Sequence, residues 1–383
     1  MKDSLPAVLP GATIGMVGGG QLGRMFAMAA ASMGYQVVVF CEGVDTPAGQ
    51  VAHDVVVGAL DDRQAVDNFA RQCDVITLEF ENIPAETIAR CGEFAPTYPA
   101  ASVLATAQDR LLEKSTLRDA GLPVTPFAQV HDAPSLGEAS QTLGWPLIVK
   151  TARSGYDGKG QYRLDAIGEA NNVPWDSCAG WIAEQCIDFQ REVSVIVART
   201  VDGRCECFPV FENSHHNHIL DVTVAPASIS AELAAEACRL SVQAAESLEV
   251  VGLLCVEFFV ASGKVMINEV APRPHNSGHL TIEACETSQF EQHVRAVCNL
   301  PLGSTTMRCG AAAMANLLGD LWNSDGSPPP WDRALRDGKV SLHLYGKPKA
   351  MPGRKMGHLT LTGDDPKELK RRVVKARDQL GGA

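Results

Sequence analysis

No run of roughly 18 apolar residues, the length that crosses a bilayer as a helix, occurs anywhere in the chain. The opening stretch MKDSLPAVLPGA lacks the cationic segment, apolar core and small-residue cleavage site of a secretory leader. Both absences predict a cytoplasmic protein without a membrane partner. A basic excess is missing too. Forty-five acidic against 33 basic residues give a formal charge of −12, which argues against broad nucleic-acid or anionic-membrane binding, since both need a basic surface. An anionic substrate must then be held by a local basic pocket. Cysteine is plentiful at 12 residues, but C-x-x-C is absent and the closest pair is Cys205 and Cys207. Most are expected to be small, reduced core residues. What is present, 45% hydrophobic and 20% charged residues, suits a globular chain. Its 383 residues exceed what one core organises, so two or three domains are expected.

The apolar pattern divides the chain. Residues 13–17 read as a buried strand, 21–33 as a helix, and 36–40 and 75–79 as further strands, the alternation of an open parallel sheet with crossover helices. Pro96 and Pro99 mark loops that close this unit, expected over residues 1–109. A helix over 108–119 stops at Gly121 and Pro123. The pattern then changes to short β-rich runs at 147–150, 181–185, 192–198 and 205–211, an α+β region with antiparallel strands. Residues 231–247 form an amphipathic helix, followed by runs at 254–260 and 264–270. Ala261-Ser262-Gly263 joins those runs as a hairpin loop. A second domain is expected over 110–305, with a lid at about 125–200, and a third over 306–383. The third holds a proline-rich surface loop at 324–332, strands at 341–345 and 358–362, and a basic helix at 366–380. The fold class is α/β and α+β.

Gly18, Gly20 and Gly23 fit G-x-G-x-x-G directly after a strand, and Glu42 ends the next strand. Taken alone, this is an NAD site. Glycines at a helix start accept any phosphate, however, and they also permit tight strand-to-helix packing with no ligand at all.

Three further groupings carry chemistry. Lys150 ends a strand and Gly155-Tyr156-Asp157-Gly158-Lys159-Gly160-Gln161 follows, a glycine-rich turn whose amides and cations can close over a polyphosphate. It is not a Walker A loop, and an exposed Gly-Lys turn is in general more often a solvated hairpin. Glu257 and Glu269 lie in apolar surroundings, LCVEFFV and VMINEVA, on the two runs of the hairpin. If Val260 pairs with Lys264, both glutamates share one sheet face as diagonal neighbours about 7–8 Å apart. That separation suits a divalent cation held against a triphosphate. Asn268 then points to the other face unless the strand is bulged. Two glutamates on a wet face would be the bland alternative, but burying unpaired carboxylates among apolar residues is costly and a cation relieves that cost. The third grouping is Glu184-Gln185-Cys186-Ile187 with Glu192 after it, where backbone groups can meet an adenine and a carboxylate a ribose. Unaided, it would pass for charged residues flanking ordinary strands.

In this order and spacing the groupings resemble the ATP-grasp fold, with a Rossmann-like pre-ATP-grasp domain in front and a small C-terminal β-rich domain behind. Over nearly its full length the chain resembles the 5-(carboxyamino)imidazole ribonucleotide synthases, the ATPase-subunit family of phosphoribosylaminoimidazole carboxylase in purine biosynthesis. The motifs are GGGQLGRM (18–25), TLEFENIP (77–84), GYDGKGQ (155–161), FENSHHNHIL (211–220), NEVAPRPHNSGH (268–279) and TSQFEQHVRA (287–296).

The resemblance implies an ATP-dependent carbon–nitrogen ligase that carboxylates aminoimidazole ribonucleotide with bicarbonate, through carboxyphosphate. It implies that Arg110 and Lys150 contact ATP phosphates under a cover of residues 155–161. Glu184, Gln185, Cys186 and Ile187 would bound the adenine and Glu192 the ribose, with His215 lining the nucleotide site. Glu257, Asn268 and Glu269 would carry magnesium, with manganese as a possible substitute, and Asn268 and Glu269 would also face the nucleotide. Gly20, Gln21, Leu22, Glu79, Tyr156, Asp157, Lys347 and Arg354 would contact the ribonucleotide. Arg273, His275 and Asn276 would face bicarbonate and the transferred phosphoryl group, and Lys347 would join them in catalysis. A homodimer is implied, and a mutase on a separate chain as functional partner.

The nearest rival is a formate-dependent glycinamide ribonucleotide transformylase of the same fold. A biotin carboxylase would need a long insertion that is not seen. An NAD-dependent oxidoreductase rests on the first glycine loop alone and leaves Glu257 and Glu269 unexplained; a nucleotide sensor would show no turnover. His215, His216 and His218 invite a zinc reading, but the spacing supplies no accompanying carboxylate pattern.

Overall fold

Strands that are apolar on both faces need cover on both faces, and the amino-terminal residues meet that need with a parallel sheet. The computed structural model describes residues 6–154, 158–178 and 180–381. β1 (Thr13–Val17), β2 (Gln36–Cys41), β3 (Asp54–Val57), β4 (Val75–Leu78) and β5 (Thr97–Tyr98) lie in the order β3-β2-β1-β4-β5, each pair parallel. Helix Gln21–Ser32 covers one face, with Phe26 against Ile14 and Val39, and helices Arg63–Ala70 and Ala85–Cys91 cover the other. The chain runs outward from β1 through β2 to β3 and resumes on the opposite side at β4. The ends of β1 and β4 therefore bound a crevice at the switch in strand order, where α/β sheets place their sites.

A smaller antiparallel sheet follows, made of β6 (Phe127–Val130), β7 (Leu147–Thr151), β8 (Gln161–Leu164) and β9 (Trp181–Gln185) in the order β6-β9-β7-β8. Helix Ala133–Leu143 packs Leu136 and Leu143 against Val130, Val149 and Trp181. The third sheet contains β10 (Arg191–Arg199), β11 (Cys205–Cys207), β12 (Phe211–His216), β13 (Ile219–Ala225), β14 (Gly252–Ala261), β15 (Lys264–Ala271), β16 (Ala311–Leu318), β17 (Ser341–Leu344) and β18 (Lys355–Gly363). Its order is β15-β14-β10-β12-β13-β16-β18-β17, with β11 beside β10. Because β16 pairs with β13, the carboxy-terminal strands continue the sheet that carries the glutamate hairpin.

Three expectations need correction. The single strand at 205–211 is two, β11 and β12, because Pro209 has no amide to give a ladder. The helix at 108–119 is Arg110–Asp119, whose N-cap Asp109 accepts from the Leu111 and Leu112 amides, and a separate helix Ala101–Ala107 precedes it. The hairpin loop is shorter than expected, as the site makes clear. β6 has too short and mixed a pattern to be read from the sequence. Cys41, Cys91, Cys255, Cys285 and Cys298 are buried free thiols. Among the described residues no helix is long and apolar enough to cross a membrane.

Candidate active site

The glutamate pair owes its position to a bulge. β14 and β15 meet through Ser262 (φ 50°) and Gly263 (φ 72°), both in the left-handed region that two-residue hairpin loops require, so Ala261 rather than Val260 faces Lys264. Continued without interruption, that register would set Glu257 opposite Asn268 and turn Glu269 to the other face. The ladder instead shifts between Phe258–Ile267 and Glu257–Glu269, leaving Asn268 as the extra residue. The two glutamates are thus direct opposites, not diagonal neighbours. Burial and the charge of Glu269 push the Glu257 carboxyl up to about 8. Glu113, at the start of helix Arg110–Asp119, is likewise pushed up to about 8 by burial and by Glu269. The side-chain oxygen of Asn268 is buried with no hydrogen-bond partner. A set of crowded carboxylate oxygens beside an unsatisfied amide oxygen is chemically suited to a hard divalent cation.

Opposite the hairpin stand two lysines. Lys150 on β7 donates to Glu184 Oε2 at 2.9 Å, and Lys114 reaches Glu184 Oε1 at 3.4 Å. Lys114 is 2% exposed, an expensive place for an ammonium unless it is fully paired. It is paired: it donates to Thr125 Oγ1 at 2.5 Å and to the Asn268 carbonyl at 2.7 Å, tying the bulge to the helix. Burial pulls the Lys114 pKa down, while the two lysines together hold Glu184 below its usual range against burial. Past Glu184, the Gln185 and Cys186 amides donate to the carbonyls of Pro126 and Pro146, so these two donors are committed within the protein. Burial works against charge on His215, yet its 2.9 Å hydrogen bond to Glu192 outweighs that and raises its pKa.

On the far side, Arg273 grips Glu81 with two guanidinium nitrogens, one at 2.9 Å, which keeps Glu81 ionised despite burial. His275 places Nε2 3.1 Å from Glu257 Oε1. Its backbone is clamped by buried Gln289, whose Oε1 accepts from the His275 amide and whose Nε2 donates to the His275 carbonyl. Asn276 exchanges amide hydrogen bonds with Asn316 of β16 at 3.0 and 2.6 Å. At the crevice of the parallel sheet, the Gly20 and Gly23 amides both donate to Glu79, the latter at 2.8 Å. Lys347, whose pKa falls to about 8 through burial and the charge of Arg354, lies within electrostatic reach of Glu79 and donates to the Lys355 carbonyl at 2.6 Å. Arg354 donates to the Lys349 carbonyl at 2.9 Å.

These groups surround one cleft of about 910 Å³, a size that holds a nucleotide-class ligand. Arg110, Lys150, Gly158, Lys159, Gln161, Glu184, Gln185, Cys186, Ile187, Glu192, His215, Asn268 and Glu269 all line it. So do Gln21, Leu22, Glu79, Glu257, Arg273, His275 and Asn276. Gly20, Gly160, Lys347 and Arg354 are not on its wall, though Lys347 donates to the carbonyl of the wall residue Lys355. Gly155, Tyr156 and Asp157 lie outside the described residues. The sequence reading missed Glu81, Gln108, Glu113 and Lys355 on the wall and Lys114 beneath it. Arg110, Lys114 and Leu117 share the i, i+4, i+7 face of one helix, a periodic signal that could have exposed Lys114. Cys255 is a further surprise: its sulfur lies within 4.8 Å of ligand atoms of Glu257 and His275, and burial keeps the thiol protonated.

Residues 11–108 match the ribonucleotide synthetase preATP-grasp domain, residues 115–290 the ATP-grasp domain, and residues 312–372 the phosphoribosylaminoimidazole carboxylase C-terminal domain. The N5-carboxyaminoimidazole ribonucleotide synthase of Bacillus subtilis is 41% identical over 358 residues, covering 92% of this chain and 92% of that protein. Its namesake in Brucella melitensis is 44% identical over 355 residues, covering 92% and 96%. A bifunctional purine synthesis protein of Dictyostelium discoideum is 42% identical over 382 residues, which take in 94% of this chain but only 38% of that longer protein. Among solved structures, an N5-carboxyaminoimidazole ribonucleotide synthetase in complex with ADP is 40% identical with a TM-score of 0.91, covering 98% of this chain and 100% of that one. The Aspergillus clavatus N5-carboxyaminoimidazole synthase in complex with ADP and 5-aminoimidazole ribonucleotide is 29% identical with a TM-score of 0.87, covering 96% and 98%. Glycine crevice, lysine wall and bulged glutamate hairpin thus sit in a chain that belongs to the N5-carboxyaminoimidazole ribonucleotide synthase family of ATP-grasp enzymes.

Proposed function

We propose that this chain carboxylates 5-aminoimidazole ribonucleotide with bicarbonate at the expense of ATP, giving N5-carboxyaminoimidazole ribonucleotide. The observation that carries the reading is the one cleft lined together by Glu257, Glu269, Asn268, Lys150, Arg110, Arg273, His275 and Asn276. A bicarbonate oxygen attacks the γ-phosphorus and the bond to the β,γ-bridging oxygen breaks, releasing ADP and forming carboxyphosphate. The amine nitrogen then bonds to the carboxyl carbon, either of carboxyphosphate itself or of the CO2 released from it. In both routes the bond from that carbon to the bridging oxygen breaks, and the departing phosphate takes the amine proton. No side-chain nucleophile is needed, and positioning with charge neutralisation does the catalysis.

Lys150 and Arg110 face the phosphates, and the turn carrying Gly158 to Gln161 covers them and keeps water from the acyl phosphate. Magnesium, or manganese in its place, would be held by Glu257, Glu269 and Asn268 and would supply charge neutralisation at the triphosphate. Arg273 neutralises charge on the small anion, while Asn276 and His275 orient it. The ribonucleotide enters at the parallel-sheet crevice bounded by Gln21, Leu22 and Glu79, and the cations Lys347 and Arg354 serve its phosphate. A homodimer, a separate mutase that moves the carboxylate to carbon, and a cytoplasmic setting complete the proposal.

The test is ADP release with each acceptor and one-carbon acid in turn. Aminoimidazole ribonucleotide with bicarbonate should give one ADP per product, and glycinamide ribonucleotide with formate should give none. The reverse preference would hand the reading to the formate-transferring relative. Lys347→Ala or Arg354→Ala should raise the KM for the ribonucleotide far more than that for ATP; the opposite split would move the acceptor site elsewhere.

A further inference from the structure

Beneath His275 runs a row of buried hydroxyl and amide groups that the reaction just described does not use. Ser277 Oγ lies 2.8 Å from His275 Nδ1, Ser194 Oγ 2.9 Å from Ser277 Oγ, Asn213 Nδ2 2.9 Å from Ser194 Oγ, and Thr223 Oγ1 3.1 Å from Asn213 Oδ1. Ser194, Ser277 and Thr223 are wholly buried and Asn213 nearly so. The row crosses β10, β12 and β13, with Asn213 directly opposite Thr223 in the ladder.

The direction of every link follows from one fixed donor. The Ser277 backbone N–H, 3.3 Å from His275 Nδ1, can only donate, so Nδ1 is an unprotonated acceptor. The 2.8 Å contact to a bare Nδ1 must then be a hydrogen given by the Ser277 hydroxyl. That spends the only proton of Ser277, so Ser194 must donate to Ser277. That in turn spends the proton of Ser194, so the Asn213 amide nitrogen must donate to Ser194. The amide oxygen of Asn213 is left facing Thr223, which donates to it. Read this way, the orientation of the Asn213 amide is a consequence of the chain, not an assumption of it.

We propose that Ser277, Ser194 and Asn213 are positioning residues that hold His275 as the neutral tautomer with its proton on Nε2. The Nε2–H points toward Glu257, 3.1 Å away, in the cleft that Arg273 and Asn276 also line. His275 is therefore a hydrogen-bond donor to oxygen in this site and not its base: one nitrogen already carries the proton, and the lone pair of the other is taken. The proton of the attacking amine leaves with the phosphate, as the balanced reaction above allows. This inference rests on the proposed carboxylation for its kinetic part and is independent of it for the tautomer.

The tautomer is read by nitrogen-15 NMR of protein labelled at histidine imidazoles, with the His275 signals assigned by their loss in His275→Gln. The expected pattern is a protonated Nε2 and a bare Nδ1 in the parent. In Ser277→Ala and Ser194→Ala that pattern should give way to a tautomer mixture, while Ser277→Thr, which keeps the hydroxyl, should restore it. At saturating aminoimidazole ribonucleotide and bicarbonate, kcat of the two alanine variants should fall about 10- to 100-fold, the usual range for loss of an outer-shell partner. KM for ATP should move less than about twofold in the same variants. Far-UV circular dichroism identifies any variant that fails to fold, and Asn213→Asp, which can only accept from Ser194 and so opposes the chain's polarity, gives a second route to the same change. A parent protein with the proton on Nδ1 overturns the proposal, as do alanine variants with the parental tautomer and parental kcat. A parent without turnover would sink the proposed reaction, and the tautomer would still be judged from the spectra.

Discussion

The amides of Gly20 and Gly23 open helix Gln21–Ser32, and both are spent on the carboxylate of Glu79. A β-carbon on Gly20 would lie 2.6 Å from Glu79 Oε1, so the close approach, rather than a dinucleotide, is what requires glycine there. The dehydrogenase alternative needs those donors for a pyrophosphate and finds them occupied by a side chain of the same protein. Across the cleft, Lys114 and Lys150 share Glu184 but differ in burial, with side chains 2% and 14% exposed. Removing the more buried cation leaves Thr125 and the Asn268 carbonyl without their donor and takes one of its two ion-pair partners from Glu184. Lys114→Met should therefore cost about 3–5 kcal/mol, measured as a fall in the urea midpoint. Lys150→Met should cost less stability and show itself chiefly in the KM for ATP. Glu269→Gln keeps shape and removes charge, and it should lower turnover about 100-fold or more with the urea midpoint retained; near-parental magnesium-dependent activity would remove Glu269 from the site.

At the scale of elements, Gly158 (φ 77°) carries the second half of the glycine-rich turn, and a β-carbon there would meet the His218 ring at 2.7 Å. The turn thus seats against the β12–β13 connection, where Asn217 and His218 both have positive φ. Gly158→Ala should unseat it and let water reach the acyl phosphate. The expected outcome is more than one ADP formed per carboxylated product, with ADP formation still dependent on bicarbonate; unchanged stoichiometry would deny the turn its sealing role. How elements were legible varied with the range of the interactions that set them. Local signals sufficed for helix Ala231–Ser247, which has an N-cap serine and a clean periodicity, and for the strand Trp181–Gln185, both found at their expected bounds. The hairpin needed more. Period-2 alternation placed Glu257 and Glu269 on one face from a register one residue out, and a bulge at Asn268 made the facing correct for another reason. Alternation cannot reveal a bulge, because the extra residue is held by the tertiary bond from Lys114 to the Asn268 carbonyl. The same limit hid Glu81, whose partner Arg273 lies 192 residues away.

For the whole molecule the question is what keeps the parallel-sheet crevice in line with the nucleotide cleft. Helix Gln289–Val297 lies between them, with Phe290, Val294 and Val297 in the apolar cluster of the parallel sheet and His293 turned to both sides. His293 Nε2 meets Thr77 Oγ1 of β4 at 2.9 Å, and its ring touches Phe26 edge-on at 5.4 Å. On the other side it fills the space beside Gly252 of β14, where a β-carbon would come within 2.9 Å. Burial lowers its pKa from 6.5 to about 3, so the fold holds it neutral while the unfolded chain takes up a proton below pH 6.5. The stability this neutral histidine allows is fully present above pH 6.5 and is progressively lost as the pH falls toward 3. His279 and His358, also buried and depressed, act in the same direction beside β18. These histidines pull the urea midpoint down as the pH is lowered from about 7.5 to 5. Glu257 and Glu113, whose carboxyls are raised to about 8 and so bind protons in the fold before the unfolded chain does, pull it up. The contribution of His293 is therefore read as the difference between parent and variant. His293→Asn lowers stability at neutral pH by removing packing at the junction, but it should reduce the acid slope, because its unfolded state has one proton fewer to gain. Equal slopes for parent and variant would mean that His293 is charged in the fold, and that the alignment of crevice and cleft does not depend on keeping a proton off this ring.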